Sequence, residues 1–442
     1  MNASIIVKGG VLPSGERCDI RIVDGVVAEL GAGLTSAGAR VVDADGLVAL
    51  PGLVDLHTHL REPGFEQSET VLTGSRAAAA GGYTAVHAMA NTFPVADSAG
   101  VVEQVASLGD QYGYVTVRPV GAVTVALAGE RLAEIGAMAT SRARVRVFSD
   151  DGKCVVDPLL MRRALEYVST FGGVIAQHAQ EPRLTENAQM NEGELSSRLG
   201  LTGWPGVAEE AIIARDVLLA ETVGARLHIC HVSTAGSVEV IRWAKARGIR
   251  VTTEVTPHHL LLTEELAESY DPVYKVNPPL RRAEDVTALR EALADGTIDI
   301  VATDHAPHPV ESKETAWAEA SFGMVGLESA LSVVQETMVD PGLLAWTDVA
   351  RVMSGAPAKI GGLDGQGDPF AVGRAAHITF YDSSTRSTFD VSRLRGKGIN
   401  SPYLGRELPG QVIATFHRGV PTVLDGMVQD LTAVSGKDAT LV

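Results

Sequence analysis

The sequence predicts an α/β fold: a (β/α)₈ barrel of the TIM type with a small β-sandwich domain formed by the N- and C-terminal segments. Between about residue 47 and residue 363, short apolar stretches alternate with amphipathic stretches rich in Ala, Glu and Arg, as in repeated β/α units. Eight such units over roughly 300 residues match the size of a barrel. Both chain ends instead consist of short strand-like stretches separated by Gly-containing turns.

The barrel strands are predicted at residues 48–58, 83–89, 115–120, 143–148, 173–177, 225–230, 250–255 and 298–303. The clearest helices between them are predicted at residues 69–80, 158–170, 207–222, 235–247 and 282–294. A doubly wound open sheet has the same alternation of strand and helix. However, no G-x-G-x-x-G motif follows the first strand, and this favours the barrel.

The two terminal segments are expected to pair with each other. Strands are predicted at residues 4–8, 19–23, 26–30, 40–45, 376–381, 411–417 and 419–424. The expected organisation is therefore residues 1–50 and 364–442 as two parts of one small β domain, with residues 51–363 as the barrel. No internal repeat or linker is visible.

Composition restricts the class of protein. The 37 basic and 54 acidic residues give a formal net charge of −17, which argues against nonspecific binding to nucleic acid or to an anionic membrane. Three widely spaced cysteines exclude a disulfide framework and fit a reducing compartment. The N-terminal residues have no signal-peptide pattern and no apolar run reaches membrane-spanning length, so we expect a cytoplasmic protein.

Histidines are concentrated at the predicted strand ends, where barrel active sites lie. His57 and His59 end the first strand as residues i and i+2, which face the same side of a strand. Half of the twelve histidines occupy such ends, namely His57, His59, His178, His231, His305 and His308. Any one of them alone could be a hydrogen-bonded core histidine, but the set predicts a metal site.

The number of ligand candidates predicts two metal ions. One catalytic zinc uses three protein ligands and a water, whereas four imidazoles and several carboxylates suit two divalent ions with a bridging carboxylate and a bridging hydroxide. Asp304, which ends the last strand, is the candidate proton shuttle. His228 and His231 are three residues apart, so we expect them to face opposite sides of their strand. His231 is then the ligand candidate, and His228 is structural.

Nine sequence motifs together indicate a family. They are PGLVDLHTHLREPG, GGYTAV, FSDDGK, QHAQE, HICHVST, VTPHH, KVNPPLR, DHAPHPVESK and ASFG. In this combination the chain resembles, over nearly its whole length, the amidohydrolase superfamily and within it the class I bacterial dihydroorotases.

The resemblance implies an activity and a role for each site residue. The implied reaction is the reversible cyclisation of N-carbamoyl-L-aspartate to (S)-dihydroorotate plus water in de novo pyrimidine (UMP) biosynthesis. Two Zn²⁺ ions per subunit would be held by His57, His59, Asp151, His178, His231 and Asp304, with Asp151 bridging and Asp304 catalytic. The substrate would be bound by Arg61, Asn91, Asn277, His308, Phe322 and Gly323, the last two through their backbone. A homodimer and association with aspartate carbamoyltransferase are the implied partners.

Two departures from the superfamily pattern matter. Residues 144–151 contain no lysine that could be carbamylated to bridge two metals, so a carboxylate must serve, and this argues against a hydantoinase. Spacing alone leaves Asp150 and Asp151 equivalent, and Asp151 is chosen by the resemblance. The residues before Asn91 are Met89 and Ala90, where many relatives have proline.

Alternative functions are another cyclic amidase, such as an allantoinase or hydantoinase, and a catalytically inactive amidohydrolase-like scaffold. Arg61 favours a substrate with a carboxylate, because a guanidinium matches a carboxylate in a bidentate geometry. Residues 309–321 form a polar stretch that either closes over the substrate or is an ordinary surface loop.

Overall fold

The computed structural model describes residues 4–431. The strands are β1 (Ser4–Val11), β2 (Arg17–Val23), β3 (Val26–Gly31), β4 (Arg40–Asp43), β5 (Val48–Pro51), β6 (Leu53–Thr58), β7 (Tyr83–Ala88), β8 (Thr116–Pro119), β9 (Val147–Phe148), β10 (Val174–Gln177), β11 (Met190–Asn191), β12 (Gly203–Trp204), β13 (Leu227–Ile229), β14 (Val251–Val255), β15 (Ile300–Val301), β16 (Ile378–Thr388), β17 (Glu407–His417), β18 (Val420–Leu424) and β19 (Met427–Val428). The helices are α1 (Val71–Ala80), α2 (Ala99–Tyr112), α3 (Ile135–Thr140), α4 (Pro158–Ser169), α5 (Glu194–Leu199), α6 (Val207–Val223), α7 (Ala235–Ala246), α8 (Pro257–Leu261), α9 (Ala283–Asp295), α10 (Ala330–Val334), α11 (Trp346–Ala350) and α12 (Ala356–Gly361). No helix in this part of the chain combines the length and apolar character needed to cross a membrane.

The barrel is closed and parallel. A three-stranded sheet (β6-β7-β8) and a five-stranded sheet (β9-β10-β13-β14-β15) supply its strands. Parallel bridges between Gly121 and Phe148 and between Thr58 and His305 join the two sheets at both seams. The predicted fold class is confirmed, and each of the predicted strand intervals contains a barrel strand.

The first predicted strand, residues 48–58, is wrong as a single element. β5 pairs antiparallel with β16 of the small domain, while β6 pairs parallel with β7 in the barrel. Gly52 separates them, and a Cβ there would lie 2.3 Å from the Thr84 side chain. Both strands are buried throughout, so the apolar run continues through both of them. The sequence therefore gives no sign that the chain passes from one sheet to another.

The small domain is one sheet made by both chain ends. Its order is β19-β18-β17-β16-β5-β1-β2-β3, with β4 beside β1. Ile20 and Ile22 of β2 share an apolar core with Ala414 and Phe416 of β17, although three strands lie between β2 and β17. The sheet therefore folds over itself as a sandwich does. The pairing agrees with one small β domain made by both chain ends, while the division at residues 50 and 363 stays a prediction. Residues 432–442 lie outside the described part.

The end of α12 closes the barrel at the side where its strands begin. Ile360 packs with Leu56, Ile300 and Ala302 in one buried cluster. The Ile360 carbonyl accepts a hydrogen bond of 2.8 Å from Arg226, which immediately precedes β13. The strand starts are thus covered by a helix, and the strand ends are left open for a site.

Candidate metal centre and substrate pocket

A cavity of about 260 Å³ opens at the carboxyl ends of the barrel strands. Its lining residues are His59, Arg61, Asn91, Asp151, Gly152, His178, His231, Asn277, Asp304, Ala306, His308, Phe322 and Gly323. All of the residues to which the resemblance gives a role, except His57, are among them, whereas His305, one of the six histidines predicted at strand ends, is not. His57 has no exposed surface and lies beneath the cavity floor.

Two groups of buried ligand-type side chains meet at Asp151. His57, His59 and Asp151 form one group, and Asp151, His178 and His231 form the other; within each group the potential ligand atoms lie within 4.8 Å of one another. A carboxylate common to two triads is the arrangement that two metal ions with a bridging ligand require. Asp151 is therefore the candidate bridge.

The polar atoms in these groups fit bound cations. His57 Nε2 is buried and has no hydrogen-bond partner, although carboxylate oxygens of Asp151 and Asp304 lie 3.3 and 3.4 Å away. An unsatisfied buried polar group costs roughly 1–3 kcal/mol, and a metal ion at this nitrogen removes that cost. His178 Nδ1 and His231 Nε2 lie 2.9 Å apart, so both nitrogens face the same point.

Asp304 lies beside the first histidine pair. Its Oδ1 is 3.1 Å from His59 Nε2 and 3.4 Å from His57 Nε2. Burial alone would raise the pKa of Asp304, but the nearby His57 and His59 outweigh burial and lower that pKa to about 2. Asp304 is therefore a carboxylate at neutral pH, which suits a group that accepts a proton.

The hydrogen-bond partners of the two adjacent aspartates distinguish which of them is the candidate metal bridge. Asp150 accepts backbone hydrogen bonds from Val123 (2.8 Å) and Thr124 (3.0 Å) and a third from the Thr124 hydroxyl. This carboxylate holds the loop after β8, while that of Asp151 faces the histidines. Since β9 ends at Phe148, strand alternation does not apply here, and spacing could not have separated the two.

Glu254 on β14 was missed by the sequence interpretation. It accepts from His57 Nδ1 at 2.6 Å and lies 3.0 Å from His228 Nε2, so it orients the His57 ring with Nε2 toward the metal site. Its only sequence signal is a charged residue within the predicted strand VTTEV. Burial alone would raise the pKa of Glu254. His57 and His228 lower that pKa by more than burial raises it, so the carboxylate stays ionised.

The expectation that His228 and His231 face opposite sides is wrong. β13 ends at Ile229, and His231 has a positive φ of 32°, so the strand period no longer holds at His231. Both rings consequently reach the barrel interior. His228 contacts Glu254 rather than the ligand groups, and its predicted structural role agrees with that contact.

Asp55 is a second residue that sequence reasoning missed. Its carboxylate accepts from the His57 backbone N–H at 3.0 Å and from the Thr303 hydroxyl at 2.6 Å. It thereby joins the end of β6 to the segment that carries Asp304. Burial is the main cause that raises the pKa of Asp55 to about 6.

The predicted substrate-binding residues surround the metal groups. Arg61 has a positive φ of 64° and donates through Nε to the Pro307 carbonyl at 3.2 Å, which turns its guanidinium across the cavity. Asn91 contacts His59 Nδ1 at 2.9 Å, and Asn277 donates to Gln180 at 3.2 Å. The buried Asn277 Oδ1 has no partner in the described chain, so it is available to a ligand.

The backbone groups expected to touch the substrate ring already have protein partners. The Phe322 carbonyl accepts from His308 Nε2 at 2.8 Å, and the Gly323 N–H donates to the Lys275 carbonyl at 3.0 Å. Both residues line the cavity, but their backbone contact with substrate stays a prediction.

Two lysines attach the loop at residues 309–321 to the segment that carries Asn277. Lys275 Nζ donates to the Trp317 carbonyl at 2.6 Å, and Lys313 Nζ donates to the carbonyls of Lys275 (3.1 Å) and Ser321 (2.7 Å). Burial lowers the pKa of Lys313 to about 7. The loop is thus packed beside the cavity, and its closure over substrate stays a prediction.

Comparisons with known proteins agree with this geometry. A family model described as dihydro-orotase-like matches residues 46–237. The chain is 70% identical over 433 residues to the dihydroorotase of Leifsonia xyli subsp. xyli, covering 98% of each protein. It is 56% identical over 429 residues to the dihydroorotase of Mycobacterium tuberculosis, covering 96% of this chain and 100% of that protein.

A solved structure, the L-hydantoinase (dihydropyrimidinase) of Arthrobacter aurescens, superposes with a TM-score of 0.85 at 28% identity, covering 97% of this chain and 98% of that one. The fold is thus shared with other cyclic amidases. The much higher identity to dihydroorotases over nearly full length separates the two groups. The chain therefore belongs to the dihydroorotase family, metal-dependent hydrolases of a cyclic amide in pyrimidine biosynthesis.

Proposed function

We propose that this enzyme interconverts N-carbamoyl-L-aspartate and (S)-dihydroorotate at a site with two zinc ions. The metal ligands of the proposal are His57, His59, Asp151, His178, His231 and Asp304. The observation that carries it is the pair of buried triads that share Asp151 beneath a cavity lined by Arg61. When bound, the ions lower the pKa of water and polarise a carbonyl oxygen.

Asp304 is the proposed general base and acid. Water adds to the ring carbonyl carbon, and the Asp304 carboxylate accepts the proton that this water gives up. The carbon–nitrogen bond of the ring then breaks, and Asp304 returns the proton to the leaving amide nitrogen. In the biosynthetic direction the same carboxylate takes the proton from the ureido nitrogen as the ring closes and water leaves. The position of Asp304, 3.1 Å from His59, supports this role.

Arg61 is the proposed anchor of the substrate carboxylate. It brings positive charge into the cavity of a chain with a net charge of −17, and its planar fork matches a carboxylate. The substrate ring is proposed to be bound by Asn91, Asn277 and His308. It is proposed to contact the backbone of Phe322 and Gly323. These side chains fix the orientation in which the reacting carbonyl faces the metal groups.

Replacing Arg61 with Met is expected to raise KM for dihydroorotate by roughly 10- to 100-fold with a smaller change in kcat, because a charge-assisted hydrogen bond contributes about 1.5–3 kcal/mol. Steady-state kinetics in both directions measures the effect. Arg142→Met is the matched control, since Arg142 is exposed and does not line the cavity. An unchanged KM in Arg61→Met contradicts the anchor role.

The experiment that tests the whole proposal combines metal analysis with substrate comparison. Purified enzyme is expected to contain about two zinc ions per chain. Cobalt and manganese are measured as well, because the same ligands also accept those ions. Turnover is expected with N-carbamoyl-L-aspartate and dihydroorotate and not with hydantoin or allantoin. Preference for hydantoin would favour the second candidate, a cyclic amidase of the hydantoinase type, which the structural likeness supports.

The resemblance to class I dihydroorotases also supports two proposals on assembly and location. We propose a homodimer in the cytoplasm, with aspartate carbamoyltransferase as a partner enzyme. Size-exclusion chromatography of the enzyme alone and with that partner distinguishes the monomer, the homodimer and the mixed complex.

A further inference from the structure

A second cavity, of about 310 Å³, lies at the other end of the barrel. Its charged and aromatic lining includes His87, Arg118, Arg144 and Arg146, and residues 361–364 at the end of α12 close one side. Residues 143–146 immediately precede β9, whereas the proposed metal ligands follow their strands. The two cavities share no lining residue, and this one lies beside the end of α12, which covers the barrel.

The arginines of this cavity have few partners. No described residue forms an ion pair or hydrogen bond with the guanidinium of Arg118 or Arg144. Arg146 donates to the carbonyls of Ala139 and Val145, each at 2.9 Å, and its guanidinium lies 5.9 Å from the centre of the Phe171 ring. None of these contacts is with a carboxylate. Among the residues that line the cavity, Asp364 is the one carboxylate. In a chain with a net charge of −17, the three arginines and one carboxylate that line this cavity form a locally positive region.

A neighbouring cavity of about 440 Å³ extends the positive region. It shares Arg118, Leu363 and Asp364 with the first cavity and adds Arg418 and His377, and Asp24 also lines it. Burial first, and then the charges of Arg418 and Arg144, lower the pKa of Arg118 against the opposing effect of Asp110. Arg118 lines both cavities, so the arginines of the two cavities form one continuous region.

The end of α12 does not account for these charges. A helix C-terminus carries about half a negative charge, and Arg226 already donates to the Ile360 carbonyl there at 2.8 Å. Together with Asp364, the helix end offsets about one and a half of the three arginine charges in the first cavity. An excess of positive charge remains in the first cavity, whereas in the neighbouring cavity Arg418 lies with Asp24, and Asp110 acts on Arg118.

We propose that this arginine cavity binds an anion that carries a phosphate group. A phosphate group carries the negative charge that this positive region lacks, and the guanidinium of Arg118 offers a planar pair of donors to its oxygens. The volume exceeds that of one phosphate group, so the cavity accepts a larger molecule with the phosphate at the arginines. This site does not depend on the proposed roles of the metal ligands.

Calorimetric titration of the metal-loaded enzyme tests the proposal. Inorganic phosphate and a nucleoside 5′-monophosphate are the two probes, and at least one is expected to bind saturably. Arg118→Gln and Arg144→Gln are each expected to weaken binding at least about tenfold, as loss of a charge-assisted hydrogen bond predicts. Arg142→Gln is the matched control, because Arg142 lies in the same loop, is exposed and does not line the cavity.

The two probes distinguish the sources of the phosphate. Equal affinity assigns the site to free phosphate, and tighter binding of the monophosphate assigns it to a phosphate ester whose remainder occupies the cavity. Retained kcat in the variants shows that they are folded, and Arg118→Lys, which keeps the charge, is expected to recover part of the affinity. Absence of binding by both probes up to about 10 mM, or binding that Arg118→Gln leaves unchanged, overturns the proposal.

Discussion

Replacing Asp304 with Asn is expected to lower kcat by at least about a thousandfold while most of the bound zinc is retained. A positioned proton acceptor contributes roughly 10²- to 10⁴-fold to such reactions, and the amide of Asn keeps the shape of the side chain but cannot accept the proton. The five other proposed ligands remain, and His57 and His59 keep their contacts with Asp151 at 3.3 Å. The substitution is therefore expected to reduce kcat much more than it reduces zinc binding.

Turnover in both directions and metal analysis of the same sample measure this effect. Asp348→Asn is the matched control, since Asp348 lies on α11 and is not among the residues that line the cavity. Near-normal kcat in Asp304→Asn contradicts the role of Asp304 as general base and acid. Loss of zinc in parallel with activity would show instead that Asp304 acts mainly as a ligand.

The barrel and the histidines and Asp304 at its strand ends were predictable from the sequence because each rests on a local signal, whereas Asn277, Phe322 and Gly323 were assigned only by the resemblance. Alternation of apolar and amphipathic stretches identified the strands, and the carboxyl ends of parallel strands necessarily meet on one side. His57, His178, His231 and Asp304 were found because each lies at a strand end. The structure brings these residues together as that rule requires.

The supporting residues were not predictable in the same way. Glu254 and Asp55 are buried within strands, and their importance depends on partners far away in the chain, such as His57 for Glu254 and Thr303 for Asp55. The break at Gly52 was hidden because the strands on either side are both buried. The periodicity of apolar residues indicates which residues are buried, but it does not indicate which sheet or which partner residue buries them.

Replacing Asp151 with Ala is expected to remove both zinc ions, and with them all measurable turnover. Asp151 is the one residue that belongs to both triads, with Oδ1 3.2 Å from His178 Nδ1 and Oδ2 3.3 Å from His59 Nε2. Its removal takes one ligand from each proposed ion and leaves several imidazoles close together without a shared anion. By comparison, His178→Ala removes a ligand from one site, so zinc content is expected to fall from about two ions toward one.

Asp150→Asn is the control that separates the two adjacent aspartates. Asp150 holds the backbone of Val123 and Thr124, so its change is expected to lower the melting temperature while zinc content stays near two ions per chain. Metal analysis and thermal unfolding of both variants measure the difference. Full zinc content in Asp151→Ala would contradict the bridging role of Asp151. Zinc loss in Asp150→Asn at an unchanged melting temperature would assign that role to Asp150. The contrast between metal loss and destabilisation therefore tests whether the carboxylate that faces the histidines is the one that joins the two ions.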